Sequence, residues 1–483
     1  MLSQIERHAP VPPEGSGRSV SRKIATICHS TKILGTNTSR KPGVPREQTA
    51  MTSEPSPVIQ RSSATVHLDP NKTEALAQEL QIALRDLMNA WFPRCIDEKH
   101  GGYLCDFDHR WRPSGPQRKL LEFQARTARV AARIAAQPGF ESFREAARHG
   151  FEFLRDVMWD LKYGGWFRML DRAGNPLESS TKHGHGISYA IGACVAYHDL
   201  TSDPEALDLA QRAFTWIDQN AHDDTHGGYF VFYRQDGTHI TSRDQSPNPN
   251  EVRDGLGVPI GLKDANTNAD LLEAFAELYQ VSPNPLLKER LTEMLHIVRD
   301  RVVVPPGAVH MYFQPDWTPV PDFYRYAYAV NTANILAKVS RILDPDPKTS
   351  QVIKSMIDTV LRYSWDRSKG GFFYAGSTYG PMYVEDIRIF IEDKFWWPQA
   401  EGTRALLRLA LLHPADEMDY LERFRQLWSY INRYLIDRKR GGWVWVGRDC
   451  LRLRRKPKAT MWKDPSHEGH SLLECIRLLR SGP

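Results

Sequence analysis

Six short stretches of the chain collect side chains with chemical potential. They hold Arg126; Lys182, His183 and His185; Asn266, Asn268, Asp270 and Glu273; Tyr326, Tyr328 and Asn331; Trp396, Trp397, Gln399 and Glu401; and Trp462, Lys463, His467 and His470. Gathered in one place, such groups would be costly in a core unless paired, so they read as a polar pocket with aromatic walls. An imidazole titrates near neutrality and suits proton transfer. Flat aromatic faces together with amide, carboxylate and guanidinium groups suit a sugar, the rings lying on C–H faces and the polar groups on hydroxyls.

For these stretches to meet, the chain must repeat itself, and it does. Asp, three residues, Gly-Gly and an aromatic occurs five times, at Asp97…Gly101-Gly102-Tyr103, Asp160…Gly164-Gly165-Trp166, Asp223…Gly227-Gly228-Tyr229, Asp366…Gly370-Gly371-Phe372 and Asp437…Gly441-Gly442-Trp443. A worn sixth copy lies at Pro306-Gly307-Ala308-Val309-His310-Met311-Tyr312, and the first glycines are 63, 63, 80, 63 and 71 residues apart. Paired glycines supply positive φ for a tight turn, and the aromatic opens a short strand such as 229–233. The spacing of apolar residues predicts twelve helices, two per repeat, near 73–93, 119–137, 142–158, 180–200, 204–220, 264–281, 286–303, 327–344, 348–365, 393–412, 416–436 and 466–480. Leu271, Leu272, Phe275 and Leu278 form one such apolar face, with Asn266 or Thr267 as its N-cap. Six helix pairs of this period predict an all-α fold, an (α/α)6 barrel with short β-hairpins at one end. The helix after each hairpin would belong to the inner ring. All six chemical stretches fall at inner-helix starts, so the ligand is expected in a funnel there.

Charge and composition narrow the choice. Residues 1–65 carry nine Lys/Arg against four Asp/Glu, which accounts for the whole formal charge of +5. This tail, with seven prolines and no sustained apolar period, is expected to be disordered, and Met51 is a plausible true start. Residues 66–483 would form a single barrel domain with no net charge, which gives no electrostatic reason for nucleic-acid binding. No apolar run reaches the roughly 20 residues of a membrane span. Cys28, Cys95, Cys105, Cys194, Cys450 and Cys475 lie far apart in no metal or disulfide spacing, so a reduced, cytoplasmic setting is expected. The Asp-x3-Gly-Gly copies lack the acidic spacing of a calcium loop and read as turns.

Three strings carry a resemblance: Lys394-Phe395-Trp396-Trp397-Pro398-Gln399-Ala400-Glu401, Asn266-Thr267-Asn268-Ala269-Asp270-Leu271-Leu272-Glu273-Ala274 and Trp462-Lys463-Asp464-Pro465-Ser466-His467. Over about residues 70–480 the chain resembles the N-acylglucosamine 2-epimerase superfamily, which includes cellobiose 2-epimerases and aldose–ketose isomerases. The resemblance implies the same barrel, a small-molecule sugar substrate, no cofactor and no metal, and it leaves room for a homodimer. It implies an open-chain sugar that loses its C2 proton to a histidine and forms a cis-enediolate. Return to the opposite face of C2 gives the 2-epimer, and return to C1 gives the ketose. Carried across, His467 is the catalytic histidine, Arg126 faces the sugar oxygens, Trp397 is the stacking indole and Glu401 its hydrogen-bonding carboxylate.

The chain also departs from that pattern. Where the family reads Asn-Thr-His-x-His, this chain has Asn268 and Asp270 at the histidine positions. Where the family has Gly-His-Asp-x-Glu, it has Tyr328 and Asn331 for the histidine and the glutamate. Three readings follow. His467 acts alone as an isomerase base, His183 or His185 supplies a second base, or the pocket binds a sugar with different chemistry or none. A tyrosine near its ordinary pKa of about 10 is a poor base, so Tyr328 would serve as an acid or a hydroxyl-binding group. Trp396, Asn266 and His470 are further candidate contacts. Each candidate has a plainer reading. Arg126 could pair with Glu122, Asp270 and Glu273 with Lys263 or Arg325, and one of Trp396 and Trp397 could fill the core. The basic run Arg452 to Lys458 reads as a solvated hairpin. A rival enzyme class, glycoside hydrolysis or elimination, needs two opposed carboxylates, for which Glu401 with Asp270 or Asp464 is the available pair.

Overall fold

The computed structural model describes residues 69–483 except 178–180, 247–251, 322–323, 344, 378–381, 385–386 and 454, so the tail reading and Cys28 fall outside the described residues. Twelve α-helices are present among them: α1 Pro70–Trp91, α2 Leu121–Ala135, α3 Arg144–Phe153, α4 Gly184–Thr201, α5 Pro204–Ala221, α6 Ala265–Val281, α7 Pro285–Ile297, α8 Tyr326–Ile342, α9 Pro347–Ser364, α10 Trp396–Leu412, α11 Tyr420–Tyr430 and α12 Ser466–Ser481. The even-numbered helices contact one another in sequence, and α12 returns to α2, which closes an inner ring. Each odd-numbered helix packs outside, α1 on α12 and the others on the inner helix beside them. This is an (α/α)6 barrel.

The helices sit where their apolar periods put them, with two kinds of difference at the ends. Short strands occupy the residues just before α2 and α4 (β1 Lys119–Leu120 and β2 Thr181–His183), so those helices begin later than their patterns suggest. Three outer helices, α3, α7 and α11, finish in a π turn, at Leu154–Met158, Val298–Val302 and Ile431–Leu435. The N-cap of α6 is Asp264, whose carboxylate accepts from the Thr267 amide, rather than Asn266 or Thr267. The strand expected at 229–233 is only Phe232–Arg234, since Tyr229 instead bridges back to His222.

The repeat motif works as a buried latch. Its ten glycines all have positive φ, between 62° and 88°. A Cβ on Gly102 would come within 2.6 Å of the Gln124 amide oxygen, so only glycine lets the inner helix approach. The motif aspartates are clamped by lysines: Asp97 by Lys119, Asp160 by Lys182, Asp223 by Lys263, Asp366 by Lys394 and Asp437 by Lys458, at 2.5 to 2.9 Å. Each ammonium also donates to the carbonyl of the motif's first glycine. Lys458 is therefore buried, and the basic run it ends is not simply a solvated hairpin. Three inner helices add an amide clamp. The side chains of Gln124, Asn268 and Gln399 accept from and donate to the backbone of the motif aromatics Tyr103, Tyr229 and Phe372. Asn268, at a family histidine position, thus holds a hairpin.

These ion pairs are shut away from water. Removing one partner leaves a charge uncompensated, which typically costs about 3–5 kcal/mol. Lys182→Met is expected to lower stability by that amount, read as a lower urea midpoint at unchanged slope, and Asp160→Leu in the same chain should restore much of it. A midpoint unmoved by Lys182→Met would show the latch to be dispensable.

Candidate active site

Four of the latch lysines, joined by Lys463, also set a register. Lys119, Lys182, Lys263, Lys394 and Lys463 precede inner helices, and the seventh residue after each is Arg126, Tyr189, Asp270, Glu401 and His470. Seven residues are about two helical turns, so all five point the same way. They point to the axis. Together with Asn331 and His467 they line a cavity of ≈ 330 Å³ that runs down the barrel to residues in the last turns of the inner helices, such as Gln280 and Arg477. The space is thus deeper than a funnel confined to the helix starts.

On one wall His467, in the first turn of α12, places Nδ1 2.9 Å from Glu401 Oε1 on α10. Glu401 also accepts from the Asn334 amide at 2.9 Å and from Arg404 Nε at 2.7 Å. Burial alone would raise the Glu401 carboxyl, but Arg404 and the His467 hydrogen bond hold it down to about 2. A carboxylate only accepts, so Nδ1 carries the hydrogen, and Nε2 is the ring nitrogen that Glu401 does not engage. The Trp397 ring lies 5.4 Å from the His467 ring at an interplanar angle of 34°, and Tyr328 packs edge-on against the same indole at 5.5 Å. Burial, with Tyr374 beside it, pushes the Tyr328 phenol well above its ordinary range. Tyr328 is therefore no base, and its place is behind Trp397.

Between the walls Arg126 pairs with Asp464 through Nε at 2.8 Å, not with Glu122. Its Nη2 is buried without a hydrogen-bond partner, and its guanidinium sits 5.2 Å above the Tyr189 ring. Asp464 also caps the start of α12 by accepting from the Ser466 amide, so one carboxylate positions both Arg126 and the His467 helix.

The facing wall is built on Tyr189, whose hydroxyl donates to Asp270 Oδ2 at 3.0 Å. Behind it His185 places Nε2 3.2 Å from the same oxygen and Nδ1 3.5 Å from Glu122. Burial opposes the charge, but the two carboxylates raise His185 to about 9, so it is an imidazolium at neutral pH. The Asn266 amide lies 2.9 Å from Nε2 and must present its oxygen there, because an imidazolium only donates.

Several expected contacts stand elsewhere. His183 is fully buried, bonds Asp254 at 2.8 Å and accepts from the His185 amide as the N-cap of α4. His185 and Asn266 support the wall from behind, and neither His183 nor His185 lines the cavity. Trp396 packs against Trp445 at 4.7 Å beneath Lys463, as core. Glu273 pairs with Arg129 and Lys338, while Lys263 goes to Asp223. His470 does line the cavity, with a buried, unpartnered Nε2, and burial beside Arg129 and Arg404 drives it down to about 3. Sequence reasoning missed Tyr189, Asn334 and Arg404. The seven-residue register from Lys182 would have found Tyr189.

The His185 assembly carries a pH signature. Its folded pKa of about 9 lies above the ordinary 6.5, so its stabilisation is complete below about pH 6.5 and is lost as pH rises through 9. The span corresponds to about 3 kcal/mol. His185→Gln is expected to flatten the fall in unfolding free energy between pH 6.5 and 9.5, and an unchanged slope would reject the assignment.

An all-helical barrel whose axis carries an imidazole–carboxylate pair backed by an indole, with a guanidinium nearby, belongs with proteins that handle polar small molecules in a helical toroid. The chain is a member of the N-acylglucosamine 2-epimerase (GlcNAc 2-epimerase) family, whose sequence profile matches residues 101–464. It is 26% identical over 418 residues to a cellobiose 2-epimerase of Bacteroides fragilis, covering 84% of this chain and 99% of that one. It is 23% identical over 338 residues to a D-mannose isomerase of Thermobifida fusca, covering 66% of this chain and 74% of that one. The structure of a cellobiose 2-epimerase from Bacillus thermoamylovorans superimposes with a TM-score of 0.73 at 21% identity, over 84% of this chain and 99% of that one.

Proposed function

We propose that this protein interconverts an aldose and its ketose by proton transfer on one face of the open-chain sugar, with His467 as the base. The observation that carries the reading is the His467–Glu401 pair, which engages Nδ1 of a cavity-lining imidazole and leaves Nε2 for the sugar. His467 Nε2 takes the C2 proton, Glu401 stabilises the imidazolium that forms, and Arg126 Nη2 is available to the enediolate oxygens. A preorganised donor of this kind is worth about 3 kcal/mol in the transition state. The proton then returns to C1 while the O2 hydroxyl proton passes to O1, which leaves a carbonyl at C2 and a hydroxyl at C1.

Isomerisation is favoured over 2-epimerisation because epimerisation needs a second proton carrier on the opposite face. Among the described residues, the facing wall offers Tyr189, Asp270 and Asn331, and the nearest imidazole there, His185, is already protonated. The relatives named cellobiose 2-epimerase and D-mannose isomerase support an aldose substrate, free or at the reducing end of a disaccharide. The hydrolase reading is weaker. It needs a carboxyl group kept protonated, and Glu401 is held ionised.

Proton NMR of aldoses incubated with the protein in D2O tests this. The expected result is a ketose product with deuterium entering at C1 of the ketose and C2 of the recovered aldose. A 2-epimer accumulating without ketose would overturn the one-face reading, and no exchange on any aldose would overturn the whole.

A further inference from the structure

Below His467 the lumen passes two layers of charge. In the first, Arg129, Arg133 and Lys338 meet Glu273 and Glu277, with Asp199 as the second partner of Arg133, three cations against three carboxylates. In the second the balance fails. Arg408 on α10, Arg341 on α8 and Arg477 on α12 all converge on Glu474, at 2.6, 3.5 and 2.9 Å. The adjacent Arg404 is matched by Glu401. All of these residues except Asp199 line the cavity. Arg408 is 7% exposed, and its Nε has no hydrogen-bond partner. Burial pushes its guanidinium down to about 10 despite Glu474, with Arg404 and Arg341 adding to the effect. Buried charge without compensation is costly, and planar guanidinium forks match the oxygens of a phosphoryl group.

We propose that this end of the lumen binds a phosphoryl oxyanion, held by Arg341, Arg408 and Arg477 while Glu474 keeps the three guanidiniums gathered. The oxyanion has two possible sources. It is a separate inorganic phosphate, or it is the ester group of a phosphorylated sugar whose reacting end lies at His467. The two places are compatible with one ligand, since Arg408 follows Glu401 by seven residues on α10, about 10 Å along the axis. Only the second source rests on the isomerase reading.

The test is phosphorus NMR and calorimetric titration of the full chain with inorganic phosphate, with a hexose 6-phosphate and with the free hexose. The same titrations are run on Arg341→Gln/Arg477→Gln, two partly exposed positions outside the proposed catalytic set. Saturable phosphate binding is expected, weakened about tenfold or more in the double variant, because charge-assisted contacts are lost. Relieved cation crowding should leave its melting temperature no lower, and Arg408→Gln gives a second variant if it does not fold. A hexose phosphate that binds more tightly than both phosphate and hexose identifies the substrate as the source. Phosphate binding that is unaffected by sugar identifies a separate anion. Absence of saturable binding by either phosphorus compound, or equal affinity in wild type and variants, overturns the site. Binding is read without turnover, so failure here leaves the isomerase reading standing, and failure of that reading leaves this one testable.

Discussion

His467→Asn is expected to reduce both ketose formation and C2 deuterium exchange by about 10²–10⁴-fold, the usual contribution of a positioned general base. The asparagine amide occupies similar space and can still hydrogen-bond Glu401, but it has no lone-pair nitrogen to accept a proton. Binding of the sugar, measured by calorimetry, should change far less than turnover. Stability should also hold, because the side chain of His467 is 19% exposed and the asparagine keeps a donor for Glu401. Retention of turnover within tenfold of wild type would remove His467 from the proton-transfer step.

Glu401→Gln should do more damage for two separate reasons. A glutamine can donate to Nδ1, which favours the tautomer with hydrogen on Nε2 and takes away the base. A comparable carboxylate-to-amide change behind the histidine of a serine-protease triad lowers turnover by about 10⁴-fold, and a loss of about 10³-fold or more is expected here. The same substitution leaves Arg404 without the carboxylate it chelates, a buried charge uncompensated at a typical cost of about 3–5 kcal/mol. The two effects separate by measurement, since turnover per folded molecule reports the tautomer and the urea midpoint reports the charge. The wild-type pair also has an acid limit. The Glu401 carboxyl is held at about 2, below its ordinary 4.5, so its stabilisation is present above about pH 4.5 and disappears as pH falls through 2. Glu401→Gln should lack that part of the acid transition. A variant that keeps both activity and stability would show that Glu401 neither orients His467 nor neutralises Arg404.

Much of the architecture was legible because it repeats. Ten glycines in five copies of one motif mark the turns, and twelve apolar periods between them mark the helices, each within a few residues of its place. The errors fell at helix ends, where short strands and π turns compete with the helical period. Of the site, His467, Glu401, Arg126, Asp270, Asn331 and His470 reach the cavity as their positions on inner helices require. Trp396 and Trp397 could not be told apart in advance. They are neighbours about 100° apart on one helix, and only packing shows that Trp396 meets Trp445 while Trp397 meets His467. Likewise nothing local in the sequence distinguishes His183 from His185. Asp254 claims the first and Asp270 with Glu122 the second, from sequence distances of 71, 85 and 63 residues.

What the chain determined by itself was periodicity: which residues turn, which helices face inward, and which chemical groups arrive at the axis. These follow from steric rules and helical geometry that act over a few residues. What only the tertiary structure decided was protonation and pairing. Whether an imidazole is a free base, a fixed cation or a neutral bystander depends on the carboxylates and guanidiniums that other helices bring within about 4 Å. His185 is held as a cation and His470 as a neutral ring in one small space because Coulomb energies and desolvation are set by distance through space, not along the chain.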